Sequence, residues 1–397
     1  MKEILNLIKE EERYQQETID LIPSENYASQ NVLNACGSVF MNRYSEGEIN
    51  KRYYPGNKNV DILEDLCKTK AKKLFKLDES WDVNVQTLSG TPANLAVYFG
   101  LLEPSDKILS MGLTSGGHLS HGHKVNISSK IYEIHHYGVN KDGFLDYEEI
   151  SKIANETKPK LIVCGATAYS RVIDFKKFSE IAKTNDSYLL ADISHIAGLV
   201  SADQHPSPFP YADVVTTTTH KTLRGPRSAV IYFKKDLKVN RAVFPGMQGG
   251  PHENTIAAKA IAFHDAMQPE FKIYQKNIVK NAKELAKHLI NKGFDLVTKG
   301  TDNHLILIDL TNTIDAMKAQ DLLEQANILA NRNTIPNDKS CFYPSGLRLG
   351  TPAVSSRNMK EAEMEIIANM IYRILIKKEN PLDVKQEVLD LCKKFPI

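Results

Sequence analysis

Ser187-Tyr188-Leu189-Leu190-Ala191-Asp192-Ile193-Ser194-His195 is an apolar run that closes on an aspartate. Lys221, 29 positions after Asp192, lies in Thr216-Thr217-Thr218-Thr219-His220-Lys221-Thr222-Leu223-Arg224-Gly225-Pro226-Arg227: a β-branched run, then His-Lys, then a Gly-Pro turn. Short apolar runs of this kind read as strands buried on both faces. Further strands are expected at Val83–Gln86, Lys107–Ser110, Leu161–Cys164, Val214–Thr217 and Ala229–Phe233. Between and around them, Pro92–Leu102, Asp146–Glu156 and Phe175–Lys183 read as helices. Strands alternating with helices predict an α/β fold with a mostly parallel sheet. In such sheets ligands gather at the carboxyl ends of the strands, where Asp192 and Lys221 stand.

Working outward, residues 1–19 read as an amphipathic helix with Ile4, Leu5 and Ile8 on one face. Asn59–Phe75 reads as another, its apolar positions being Ile62, Leu63, Leu66 and Leu74. A long helical region runs from Glu253 to about Lys292, interrupted near Pro269. Beyond Gly293 the pattern changes: Leu305–Ile308 and Leu347–Leu349 as strands, Ala316–Gln325 and Lys360–Ile376 as helices. The expected organisation is an N-terminal arm (1–28), a large α/β domain (29–265) and a smaller C-terminal α+β domain (266–397).

The composition, 42% hydrophobic and 25% charged over 397 residues, is that of a soluble globular chain. A net charge of +2 gives no electrostatic case for a nucleic-acid or membrane partner. No apolar run approaches the roughly 20 residues of a bilayer span. Nor does an apolar signal core follow Met1. The five cysteines form no CxxC pair, so a reducing cytoplasmic setting is expected, without a disulfide framework or a cysteine-rich metal site.

A carboxylate closing a buried strand is costly without a partner, and a protonated pyridine nitrogen is one that suits it. A helix cap or a metal ligand is the plainer alternative for Asp192. A buried lysine among other cations has a lowered pKa and can attack an aldehyde; in isolation Lys221 reads as a surface lysine in a loop. Ser89-Gly90-Thr91-Pro92-Ala93-Asn94 lies between a strand and a helix, where backbone N–H groups and hydroxyls can hold a phosphate. Pro245-Gly246-Met247-Gln248-Gly249-Gly250-Pro251 offers a second anion-binding turn or simply a flexible loop. Gly117-His118-Leu119-Ser120-His121 suggests a metal less well, since no acidic ligand stands at helical spacing beside it.

With these segments the chain resembles the serine hydroxymethyltransferases over nearly its whole length. The matching stretches are Leu21–Tyr27, Tyr44–Gly47, Lys51–Tyr54, Gly116–Gly122, Thr216–Arg227, Phe244–Pro251, Thr301–His304 and Gly350–Ala353. The resemblance implies a pyridoxal-phosphate transferase of fold type I, like aspartate aminotransferase, with a seven-stranded sheet. It implies transfer of the serine hydroxymethyl carbon to tetrahydrofolate, giving glycine and methylenetetrahydrofolate, in a homodimer with shared active sites. Lys221 would hold the cofactor as a Schiff base, Asp192 its ring nitrogen, and His118 would stack on the ring. Ser89, Gly90 and Thr91 would hold the phosphate, helped by Gly249 and Gly250 from a second subunit. Thr167 and His195 would lie near the phenolic oxygen, and Thr218 would also contact the cofactor. Arg348 and Ser24 would take the substrate carboxylate, Glu46 would serve proton transfer, and Tyr44 and Tyr54 would complete the pocket across the dimer. His220 and Arg227 would tune the lysine. Leu113, Gly117, His118, Leu119, Asn333 and Ser340-Cys341-Phe342 would meet the folate.

The chain departs from the family pattern at several points. Glu48-Ile49-Asn50 replaces Tyr-Pro-Gly, Ser194 an alanine, and Ser228-Ala229 a Gly-Gly pair. Met247 stands where leucine or a smaller residue is usual, and the segment after Pro336-Asn337-Asp338 is one residue short. The nearest rival on the same scaffold is a folate-independent aldolase or transaldolase of β-hydroxy amino acids. A rival of another class is a non-catalytic binding protein that keeps the fold.

Overall fold

The computed structural model describes residues 1–397 apart from Asn337, Lys339 and Cys341. Its strands β1 (Trp81–Asn84), β2 (Lys107–Met111), β3 (Glu133–Tyr137), β4 (Leu161–Cys164), β5 (Tyr188–Asp192), β6 (Val214–Thr218) and β7 (Ala229–Lys234) form one sheet. Their spatial order is β1-β7-β6-β5-β4-β2-β3. Only β7 runs antiparallel to its neighbours; the remaining pairs are parallel. Successive side chains point to opposite faces, and both faces are covered. Leu189, Ala191 and Val215 enter one apolar core, Leu190 and Val214 the other. Each fully buried Leu or Val among them stabilises the fold by roughly 1.5–3 kcal/mol.

Six of the seven strands match the sequence reading. The missing one, β3, is the edge strand; its Glu-Ile-His-His-Tyr carries neither an apolar run nor a clean alternation. Helix α1 (Lys2–Gln16) forms as expected, yet none of its residues is buried within this chain. Helix α2 (Lys58–Leu74) buries Val60, Cys67, Ala71 and Leu74, whereas Ile62 and Leu66 face outward. The helix α3 (Gly90–Leu101) starts after β1. The long helical region divides at the expected place into α4 (Glu253–Ala266) and α5 (Pro269–Asn291).

A second sheet contains β8 (Asp295–Leu296), β9 (Leu305–Asp309), β10 (Asn331–Asn333) and β11 (Gly346–Gly350), antiparallel in the order β8-β9-β11-β10. Its core includes Ile306, Leu347 and Ile371, and also Ile19 and Leu21 from near the N-terminus. Those two residues arrive because Ile19–Asp20 pairs in parallel with Ile328–Leu329. Helix α5 serves both cores: Phe271, Tyr274 and Ile278 pack into the first, Leu285 and Leu289 into the second. A last helix, Pro381–Lys394, was not read from the sequence. No helix among the described residues is long and apolar enough to cross a membrane.

The Glu48-Ile49-Asn50 departure resolves into a tight hairpin. Gly47–Glu48 pairs with Lys51–Arg52, leaving Ile49-Asn50 as its two-residue turn. Asn50 has φ 60°, a left-handed conformation asparagine tolerates. Gly47 has φ 109°, and a Cβ there would meet the Lys51 carbonyl at 2.5 Å.

Candidate active site

The carboxyl ends of five strands open onto one cavity of about 580 Å³. Asp192 ends β5 and Thr218 ends β6. The turns after β1, β2 and β4 bring Ser89, Gly90 and Thr91, then Leu113, Gly117, His118 and Leu119, then Thr167. Ser24, His195, His220, Lys221, Asn333 and Arg348 complete the expected set lining it.

Asp192 is nearly enclosed, and its carboxylate is fully engaged. Oδ2 accepts from Asn94 Nδ2 (2.9 Å) and lies 3.0 Å from His121 Nε2. Oδ1 accepts from the Ser194 amide (3.0 Å) and hydroxyl (2.6 Å). Burial alone would raise its pKa; the hydrogen bonds from His121, Asn94 and Ser194 together outweigh burial and hold the group well below the usual carboxylate range.

Lys221 Nζ donates to Thr218 Oγ1 at 2.9 Å. Burial pushes its ammonium down to about 8, helped by Arg227 and Arg348 and opposed by Asp192. Its backbone carbonyl accepts from Asn26 Nδ2 (2.9 Å), which fixes the turn carrying the amine. Three histidines here are held neutral, chiefly by burial: His118 falls to about 4, His220 to about 3, and His195 well below its ordinary value.

Arg348 comes from β11 of the other sheet. Its Nε donates to Asn331 Oδ1 (3.1 Å) and its Nη1 to the Thr167 carbonyl (2.5 Å). Burial pushes it down to about 10, and no carboxylate among the described residues offsets that. A buried guanidinium with neutral partners only, facing a cavity, is a receptor for an anion.

The family model described as "Serine hydroxymethyltransferase" matches residues 1–371. The chain belongs to the serine hydroxymethyltransferase family. It is 52% identical over 404 residues to the serine hydroxymethyltransferase of Methanosarcina barkeri (strain Fusaro / DSM 804), covering 100% of this chain and 97% of that one. Enzymes of this family use pyridoxal phosphate, with tetrahydrofolate as cosubstrate.

The residues present fit that cofactor. Helix α3 starts at the cavity with Ser89 as its N-cap, and no side chain caps its first N–H groups. Free N–H groups at a helix N-terminus suit a phosphate. Across the same cavity stand an ionised carboxylate for a ring nitrogen and an amine of depressed pKa for an aldehyde.

Other residues expected at the site form a second cluster outside this cavity. Tyr44 and Tyr54 pack with ring centroids 4.8 Å apart, and Tyr44 Oη donates to Glu46 Oε1 at 3.3 Å. Gly249 and Gly250 adjoin it: a Cβ on them would meet Glu46 Oε1 at 3.0 Å and the Tyr44 ring at 3.3 Å. Glu46 thus keeps company with the residues the family resemblance assigns to the neighbouring subunit. Ser340 and the exposed Phe342 do not line the cavity, and Cys341 lies outside the described residues.

Sequence reasoning gave no role to several residues that build the site. Asn94 and His121 hold Asp192, Asn26 holds the Lys221 turn, and His304 stacks on His195 with Nε2 3.3 Å from its Nδ1. Ser194, noted only as a departure, links Asp192 to the Thr218 amide, which donates to its hydroxyl at 3.1 Å. All lie in quoted motifs, but pairings between distant segments leave no trace in spacing.

Proposed function

We propose that this chain catalyses the reversible conversion of L-serine and tetrahydrofolate to glycine and 5,10-methylenetetrahydrofolate, as a cytoplasmic homodimer with shared sites. The observation that carries the reading is the meeting of Lys221, Asp192 and Arg348 in one cavity: a depressed amine, an ionised carboxylate and a guanidinium without an acidic partner.

Pyridoxal phosphate, when bound, supplies an electron sink for negative charge developing beside the substrate amine. Ser89, Gly90 and Thr91 hold its phosphate at the α3 N-terminus. Asp192 holds a proton on its ring nitrogen, which the four hydrogen bonds to that carboxylate keep oriented. Lys221, neutral in a usable fraction near pH 8, would hold the cofactor through its aldehyde carbon. Arg348 and Ser24 orient the serine carboxylate. Glu46 of a neighbouring subunit, with Tyr44 and Tyr54, receives the proton of the serine hydroxyl. Leu113, Leu119 and Asn333 line the side where folate enters. Ile4, Leu5 and Ile8 on one helix and Ile62 and Leu66 on another are exposed in the single chain, and apolar helix faces left open in this way support a dimer.

The test is turnover of serine by purified protein, with and without pyridoxal phosphate and tetrahydrofolate. Glycine formation that needs both supports the reading. Equal serine cleavage without folate favours the aldolase, and absence of a cofactor absorbance band favours a binding protein.

A further inference from the structure

Behind the Tyr44–Gly47 segment lies a buried polar nest that the proposed chemistry does not use. Ser45, with no exposed surface, donates its hydroxyl to Glu253 Oε1 at 2.6 Å. Arg52 Nη1 donates to the carbonyls of Ser45 (2.8 Å) and Gly47 (2.9 Å), and Gln86 Nε2 donates to Gly47 (3.0 Å). Arg52 and Gln86 both also donate to Glu64, and Arg52 Nε donates to Asp61. Glu253 is 1% exposed and Glu64 3% exposed. Among the described residues no donor reaches Glu253 Oε2, which is buried.

The donors nearby are directed elsewhere, and Arg52 Nη2 lies 3.0 Å from Glu64 Oε2. Lys259, on the same helix, gives its amine to the carbonyls of Val85 and Ala229. Cys67 of α2 and Asp61 are further ionisable neighbours of the nest, and Glu48 and Lys68 line a pocket beside Glu64. A buried carboxylate oxygen without a donor is costly. A proton on Glu253 removes that cost, since it turns the group into a donor with Glu64 as acceptor. Burial first, then the charge of Glu64, pushes Glu253 up to about 8.

We propose that Glu253 is a positioning residue: a neutral carboxylic acid that shares its proton with Glu64 and, through Ser45, holds Tyr44 and Glu46 in place for the reaction. This rests on the reading that Tyr44 and Glu46 serve an active site. Loss of the proton sets two buried carboxylates against one arginine, and the Ser45 anchor gives way.

The test compares wild-type holoenzyme with Glu253→Gln and Glu253→Ala. Glutamine offers Glu64 a donor and Ser45 an acceptor at every pH, and it leaves Lys259, which burial also pushes down to about 8, in place. Wild-type kcat/KM is expected to fall as pH rises through about 8. Glu253→Gln keeps neutral-pH activity within about twofold and loses that alkaline limb; Glu253→Ala loses about tenfold or more in kcat with KM for serine little changed. Two further readouts do not depend on activity. Infrared difference spectra should show a protonated carboxyl band that Glu253→Gln lacks. Folding stability supplied by the raised group is complete below the ordinary value of 4.5 and is lost as pH rises to about 8, so wild type should weaken relative to Glu253→Gln across that window. A glutamine variant with the wild-type pH profile, or no carboxyl band, overturns the proposal. If the band is lost but kcat/KM never responds to either variant, the positioning role is overturned; mixed dimers of Lys221→Ala and Glu46→Ala then show separately whether Glu46 serves a site at all.

Discussion

Replacing Arg348 by lysine keeps a positive charge at the cavity and removes the fork. A guanidinium carries five N–H donors. Two are committed here, Nε to Asn331 and Nη1 to the Thr167 carbonyl, which leaves three to meet a substrate carboxylate. Two parallel bonds to a carboxylate need a planar fork that an ammonium lacks. Losing one charge-assisted hydrogen bond costs about 1.5–3 kcal/mol. At 1.4 kcal/mol per tenfold, that is a rise of about 10- to 150-fold in KM for serine and in Kd for glycine. The assay is steady-state turnover at saturating folate, paired with titration of the cofactor absorbance by glycine. Cofactor affinity should stay within about twofold, because the proposed role of Arg348 is toward the substrate and not the cofactor. A serine KM within about threefold of wild type, or a defect confined to cofactor binding, would refute the carboxylate assignment.

Asp192→Asn keeps the shape but removes the charge facing the ring nitrogen; kcat should fall by about 100-fold or more, with cofactor still bound, measured by turnover and absorbance. Mixing Lys221→Ala with Glu46→Ala, each inactive alone, should restore about a quarter of wild-type activity, because in the proposed dimer half the pairs are hybrids and each would have one intact site. Lys221, held near 8 instead of 10.5, carries about 300-fold more neutral amine at pH 7 than an ordinary lysine, so cofactor capture by apoprotein should rise with pH to a plateau just above 8. The same shift makes the Lys221 contribution to apoprotein stability increase between about pH 8 and 10.5, where the unfolded chain binds the extra proton; denaturation of wild type against Lys221→Met checks the sign.

The sheet was legible because its inner strands are buried on both faces. Runs such as Leu161–Cys164 and Ala229–Phe233 have no polar face to confuse the reading. β3 escaped because an edge strand tolerates Glu133 and His135, which carry no strand signal. Ile62 and Leu66 count toward an inward face by periodicity, yet α2 turns Val60, Cys67 and Ala71 inward instead; a second apolar stripe has a use only on a surface another chain can cover. At the site, Asp192 and Lys221 could be paired from the sequence because Asp192 ends β5 and Lys221 follows the end of the adjacent β6 by three residues. The partners of Asp192 could not, since Asn94 and His121 reach it from segments 98 and 71 residues away. The split between the main cavity and the Tyr44–Glu46 cluster also leaves no mark on the sequence. It follows from where the Gly47–Arg52 hairpin is pinned by Arg52 and Asn57.

The most direct measurement fixes the cofactor where it sits. Holoprotein is reduced with borohydride, digested, and the phosphopyridoxyl label is located by mass spectrometry. The label should fall on Lys221, in the peptide that follows His220, at one per chain. Among the described residues two buried amines have a pKa pushed down to about 8, and Lys259 is the other; it lies outside the cavity with its amine on backbone carbonyls. A label on Lys259, or spread over surface lysines, would contradict the account.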